Sequence, residues 1–394
     1  MGKYGSLLSI PGARGFVAAG FLARMPMSMR GLGCVLMLVA LTGSYGLAGA
    51  VAATLTLSQA LTGPWLGRLA DRHGQRRLLV LALAVHSSGT LLLVVAAQVS
   101  APAWTLFPAA VLAGAAVLPV GSLVRARWAG LVGGTPALDT AFAVESVLDE
   151  AVFVVGPVLV TALAVGVAPA AGLLGPLVFV VVGSLFLAIQ KNTEPGTSSE
   201  PQPSGWLAVI SPGLLVLIFS CAAAGVALSV IDVGMVAFAR ERGSAGAAGP
   251  LLALFAAGSM LAGLAYGARE WRTPPDLRFL VATAALGAGT VPILLADGIA
   301  AMALSVAVAG VGIAPALIAS STLVEELVPR ASLVEGLTWV VTALTVGAAA
   351  GAALAGGAID LAGSRAAFAV AVAAGLASVL VAVIGRGSLR PGRP

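Results

Sequence analysis

Apolar runs of about twenty residues or more recur along the chain, separated by short polar breaks. A helix of roughly 20 apolar residues crosses the hydrocarbon core of a bilayer. Backbone groups in hydrocarbon must be hydrogen-bonded within their own segment, so these runs are predicted to be helices. Twelve are expected. The first six cover 15–41, 45–67, 76–98, 104–127, 138–165 and 170–190; the second six cover 210–238, 246–268, 278–296, 299–324, 333–359 and 365–386. The N-terminal run is read as the first span, because no small-residue cleavage site follows a short apolar core. Between the sixth and seventh runs lies KNTEPGTSSEPQPSG, a composition that cannot build a packed core. The chain is therefore predicted to be an all-α integral membrane protein. A six-helix bundle covers residues 1–190, a cytoplasmic linker 191–205, and a second six-helix bundle 206–394.

Composition agrees with the pattern. Charged residues make up 9%, hydrophobic residues 59%, and the mean hydropathy is +1.05. So few charges cannot cover a water-exposed surface, and lipid is the expected solvent. The net charge of +5 would suggest nucleic acid in a soluble protein. Here the charges sit in short segments between apolar runs and read as a topology signal, with no nucleic acid expected. With the N-terminus inside, sixteen Lys and Arg fall on the cytoplasmic side, Arg68, Arg125, Arg127 and Arg278 among them. Only Arg240, Arg242 and Arg365 fall outside, so both termini are predicted to be cytoplasmic. Cys34 and Cys221 lie in apolar runs and are expected to be buried thiols.

Residues 63–77 read GPWLGRLADRHGQRR. Gly67 and Gly74 permit close packing and a tight turn. Asp71 can face the positive end of a helix, and Arg72, Arg76 and Arg77 can bridge carboxylates at neighbouring helix ends. The spacing resembles the signature loop of the major facilitator superfamily, G-x-L-A-D-R-x-G-R-R, and falls where that family carries it, between the second and third helices. Gln75 stands where the family has the first basic residue of the final pair. The glycine pair recurs as Gly63/Gly67 and Gly263/Gly267, as a half-chain repeat would give. The resemblance covers the whole chain in helix count and half-chain organisation, and is nearest to bacterial, actinobacterial-type drug or metabolite efflux members. It implies a secondary transporter working by alternating access, with the loop steadying one conformation, and a monomer; the compact loops point to a bacterial inner membrane.

A charge at mid-bilayer costs several kcal/mol unless paired or hydrated. Ionisable residues inside spans are therefore the best functional candidates. The first span holds Arg24 and Arg30 in FLARMPMSMRG; the fifth holds Asp139, Glu145, Asp149 and Glu150 in LDTAFAVESVLDEAVFVVGP. At 1.5 Å per residue, Arg24 lies ~14 Å and Asp149 and Glu150 ~17 Å from the cytoplasmic end, which allows pairing. Glu145 and Asp149 share a helix face. Acids crowded in low dielectric hold protons more readily, as proton coupling requires. Arg24, Glu145, Asp149 and Glu150 are thus proton-coupling or substrate candidates. Arg30 and Asp232 are candidates for an outer gate pair. Gly156 and Pro157 match part of an antiporter element of the family, and a kink is expected there.

No phosphate-binding Walker loop, no Cys/His metal spacing and no long soluble segment occurs. No cofactor, no metal and no enzyme activity are expected. The expected partners are a small solute, protons and the bilayer. Proton-coupled export of an apolar or amphipathic drug or metabolite is favoured. Proton- or ion-coupled uptake is the alternative, and a non-transporting membrane sensor a third reading.

Overall fold

The computed structural model describes residues 3–196 and 209–390; linker residues 197–205 and Arg393 lie outside the described residues. Among the described residues every regular element is a helix and no strand occurs. After a short helix, Lys3–Leu8, come α1 (Ala13–Thr42), α2 (Tyr45–His73), α3 (Gln75–Gln98), α4 (Ala103–Val132), α5 (Ala137–Gly166) and α6 (Ala171–Ile189). The second set is α7 (Pro212–Glu241), α8 (Ala248–Ala268), α9 (Pro275–Leu295) and α10 (Ile299–Leu327), followed by Leu333–Ile384. That last stretch is two helices, α11 (333–361) and α12 (364–384), divided where Ala362 and Gly363 leave helical geometry. Twelve spanning helices result. Ten segments are long and apolar enough to cross a membrane by composition alone, one of them containing both α11 and α12. The remaining helix is α2, which carries Ser58, Gln59, Arg68, Asp71 and Arg72.

The described chain forms two compact units. One comprises Met1–Leu131 with Leu148–Gln202, the other Val132–Val147 with Pro203–Pro394. The first third of α5 thus packs with the second set of helices, and its remainder with the first.

Local chemistry sets the helix ends. Ser44 caps α2 by accepting from Leu47 N at 3.2 Å, and Ser211 caps α7 by accepting from Leu214 N at 3.2 Å. Gly74 alone joins α2 to α3, with φ of 85°, a region in which a Cβ would be strained. In the second unit Gly363 has φ of 76°, and Glu241 at the end of α7 accepts from Ser364 N at 2.7 Å, capping α12.

Three spans are interrupted. α4 leaves helical geometry at residues 116–119, whereas α1 at Met25 before Pro26 and α10 at Val311 and Gly312 lose regular helical hydrogen bonding while the backbone stays right-handed. α4 and α10 are the fourth helix of each half, so the interruption repeats with the half-chain period. Interrupted helices at corresponding positions of two repeats point to the solute site of a transporter.

Helix crossings rely on missing side chains. A Cβ on Gly33 of α1 would overlap the carbonyl oxygen of Gly172 on α6, and one on Gly347 of α11 the carbonyl oxygen of Ala222 on α7. α5 remains helical through Pro157. A Cβ on Gly156 would collide with Ser28 Oγ, and that hydroxyl donates to Val152 O at 2.7 Å. Gly156 therefore brings α5 against α1, a packing role that a kink alone does not require.

Candidate functional site

Three helices of the first unit deliver charge to one point. Arg24 ends the first half of α1, just before the break, and Arg125 follows the break in α4 by six residues. Both reach Asp149 of α5. Arg24 Nη1 lies 2.7 Å from Oδ1, and Arg125 Nη2 lies 2.8 Å from Oδ2. Each carboxylate oxygen thus accepts a charge-assisted bond from a different helix. Both arginines are buried, whereas the Asp149 side chain keeps 24% exposure and is the open face of the cluster. Arg24 also donates from Nε to Gly20 O at 3.1 Å. Arg125 has no hydrogen-bond or ion-pair partner but Asp149 among the described residues, and its buried Nε is unsatisfied.

Glu145 of α5 is fully buried, and Glu150, beside Asp149, is half-buried. Arg30 of α1 is buried and donates to Gln59 of α2. Asp232 sits exposed on α7 of the other unit. His86 of α3 is buried with Nδ1 2.7 Å from Ala113 O, a bond inside its own bundle.

At the cytoplasmic end of the same unit, Gly67 is buried, Asp71 half-buried, and Arg72, Arg76 and Arg77 exposed around the Gly74 turn. Gln75 points inward. Its Nε2 donates to Leu123 O at 3.0 Å, and its Oε1 accepts from Arg127 Nε at 2.8 Å. Arg127 is fully buried and also donates to Leu187 O at 3.0 Å, Gln190 O at 3.0 Å and Thr193 Oγ1 at 2.9 Å. It therefore ties α4 to the orphan carbonyls at the end of α6 and to the start of the linker. The basic residue usual in the family at position 75 would face this guanidinium with a like charge; glutamine supplies an acceptor instead. Arg127→Ala is expected to leave these groups unpaired at a cost of about 3 kcal/mol or more. The midpoint of thermal unfolding in detergent should fall by roughly 5 °C or more, and an unchanged midpoint would refute the clamp.

A second charged group lies within the second unit. Arg278 at the start of α9 donates to Asp139 Oδ2 at 2.6 Å and to Tyr266 Oη at 2.9 Å. Thr322 of α10 donates to Asp139 Oδ1 at 3.0 Å, and Thr140 to Gly267 O at 2.7 Å. These bonds hold the first third of α5 within that unit.

Four of the arginines that the charge count places on the cytoplasmic side, Arg68, Arg125, Arg127 and Arg278, are buried within the helical bundles. α4 continues to Val132, beyond the predicted 127, because Arg125 and Arg127 find partners inside the protein. Their role was hidden because hydropathy scores every arginine as an interface residue. A signal was nonetheless present: helical periodicity continues through LVRARWAGLV.

Twelve helices, a half-chain repeat and a buried charge cluster beside an interrupted span define a membrane transporter. A sequence profile of the Major Facilitator Superfamily matches residues 16–304, and the chain belongs to that family. Comparison with curated proteins finds no match. Several solved structures share the fold. A bacterial homologue of the iron transporter ferroportin, in an outward-facing state, aligns with a TM-score of 0.78 at 16% identity, covering 95% of this chain and 99% of that one. The E. coli fucose:proton symporter FucP aligns at 0.73 and 13% identity, covering 96% and 99%. The human organic anion transporter TETRAN aligns at 0.70 and 17% identity, covering 94% and 99%.

Proposed function

We propose that this protein is a proton-coupled secondary transporter of a small amphipathic solute bearing an acidic group, working by alternating access. The observation that carries this reading is the dependence of Arg125 on Asp149. A proton on Asp149 removes the countercharge of a buried guanidinium, at a cost of about 3–5 kcal/mol. An anionic group on the solute restores it. Proton and anion therefore favour each other's binding and travel together, which is symport. A cationic solute meets two guanidiniums at the same point and is disfavoured. The organic anion handled by TETRAN is of the same chemical class as this solute.

The partial Gly156–Pro157 element favours a second reading, proton-driven export of a neutral or cationic drug or metabolite. Vesicles with an imposed pH gradient separate the two. Symport predicts accumulation of a lipophilic organic anion with protons moving in the same direction, abolished in Arg125→Gln. Accumulation of a lipophilic cation against counter-moving protons, unchanged in Arg125→Gln, would replace the first reading by the second.

A further inference from the structure

A cleft of about 930 Å³ opens beside the α2–α3 turn of the first unit, between that turn and the start of the linker. Its walls carry Arg72, His73, Arg76, Arg77 and Lys191, with Glu194 as the one acid. The side chains of Arg76, Arg77 and Lys191 have no hydrogen-bond or ion-pair partner among the described residues. Glu194 does not neutralise them by side-chain pairing. Its Oε1 accepts instead from the backbone N–H of Arg76 at 2.8 Å. Gly74 has no side chain with which to cap α3, so a linker carboxylate occupies the positive end of that helix. The cleft therefore already holds one anion, supplied by the chain itself.

Its inner wall is apolar. Val80 and Leu81 line it, 48% and 68% exposed, on the part of α3 that runs into the membrane. Cations at the mouth and an exposed aliphatic wall below match a molecule with an anionic head and a hydrocarbon tail. A soluble phosphate uses the cations but leaves Leu81 in the same surroundings as before.

We infer that this cleft binds the phosphodiester of an anionic phospholipid from the cytoplasmic leaflet, in competition with Glu194 for the positive end of α3. Basic pockets at the cytoplasmic face are suited to such headgroups, and each nearby Lys or Arg adds to the attraction. The assignment is independent of the transported solute.

Native mass spectrometry of the full chain in detergent tests it, with dioctanoyl phosphatidylglycerol, dioctanoyl phosphatidylcholine and glycerol 3-phosphate as probes. Phosphatidylglycerol should bind at least about tenfold more tightly than phosphatidylcholine, and added salt should erode the preference. Arg77→Gln combined with Lys191→Gln should abolish most of the preference. Both side chains are exposed, and an unchanged melting midpoint checks that the variant is folded. Glu194→Gln should tighten phosphatidylglycerol binding several-fold by weakening the resident competitor. Equal binding of the two lipids, or a preference unchanged in the double variant, overturns the inference. Glycerol 3-phosphate binding as tightly as phosphatidylglycerol would make this a free-phosphate site and overturn the lipid assignment.

Discussion

Asp149→Asn is expected to uncouple solute from proton while leaving solute exchange in place. The amide imitates the protonated acid in shape and in neutrality, so Arg125 is permanently without its countercharge. An anionic solute then finds its partner ready, and exchange between preloaded vesicles and medium should persist. Net accumulation driven by a pH gradient should drop to the level of protein-free vesicles, since no proton can be taken up at this point. Without solute the variant should be less stable by about 3–5 kcal/mol, the usual cost of leaving a buried charge unpaired. Solute should recover part of that loss in a thermal unfolding assay. Asp149→Glu keeps the charge and should retain partial coupling. Gradient-driven accumulation at the normal rate in Asp149→Asn would remove this residue from the coupling step.

The second large effect is steric. Gly33→Ala and Gly347→Ala each place a methyl group on a backbone carbonyl of the facing helix, Gly172 in one unit and Ala222 in the other. A flexible side chain could swing away, but a backbone oxygen moves only if α1 separates from α6, or α11 from α7. In lipid these helices are held by packing and not by exclusion of water, so lost contact is not offset elsewhere. Overpacking of this kind costs about 1–3 kcal/mol. Gly31→Ala is the control, since nothing lies within 4 Å of its would-be Cβ on the same helix. There the gain in helix propensity, up to about 1 kcal/mol, should stabilise the protein slightly. Detergent melting curves that rank the three variants otherwise would refute the crossing geometry.

How much of this was legible in the sequence depends on how local each feature is. Spans of apolar residues announce themselves, because lipid demands them residue by residue. Gly74 was legible as a turn, and the acids of α5 as functional candidates. Depth along the helices allowed Arg24 to meet Asp149, since both positions follow from counting residues. Arg125 was missed because its partner is 24 positions away on another helix, and a sequence does not show which arginine turns inward. Asp139 and Arg278, separated by 139 positions, pose the same problem on a larger scale. Gln75 was visible as a departure from the family pattern. Its meaning depended on Arg127, which an arginine count assigns to the cytoplasm. The acids were expected to crowd one another, yet the geometry around Asp149 is that of a clamp made by two cations.

The one-residue connection at Gly74 also bears on how the protein enters the membrane during synthesis. With no slack between α2 and α3, the nascent pair must insert as a hairpin whose tip stays where it first arrives. Arg72, Arg76 and Arg77 sit within three residues of that tip. Carrying three arginines through the bilayer centre would cost roughly 8–10 kcal/mol on the insertion scale. The tip is thereby a ratchet for topogenesis. It fixes the orientation of the first three spans before the remaining nine have been made, and each later helix inherits its direction from that step.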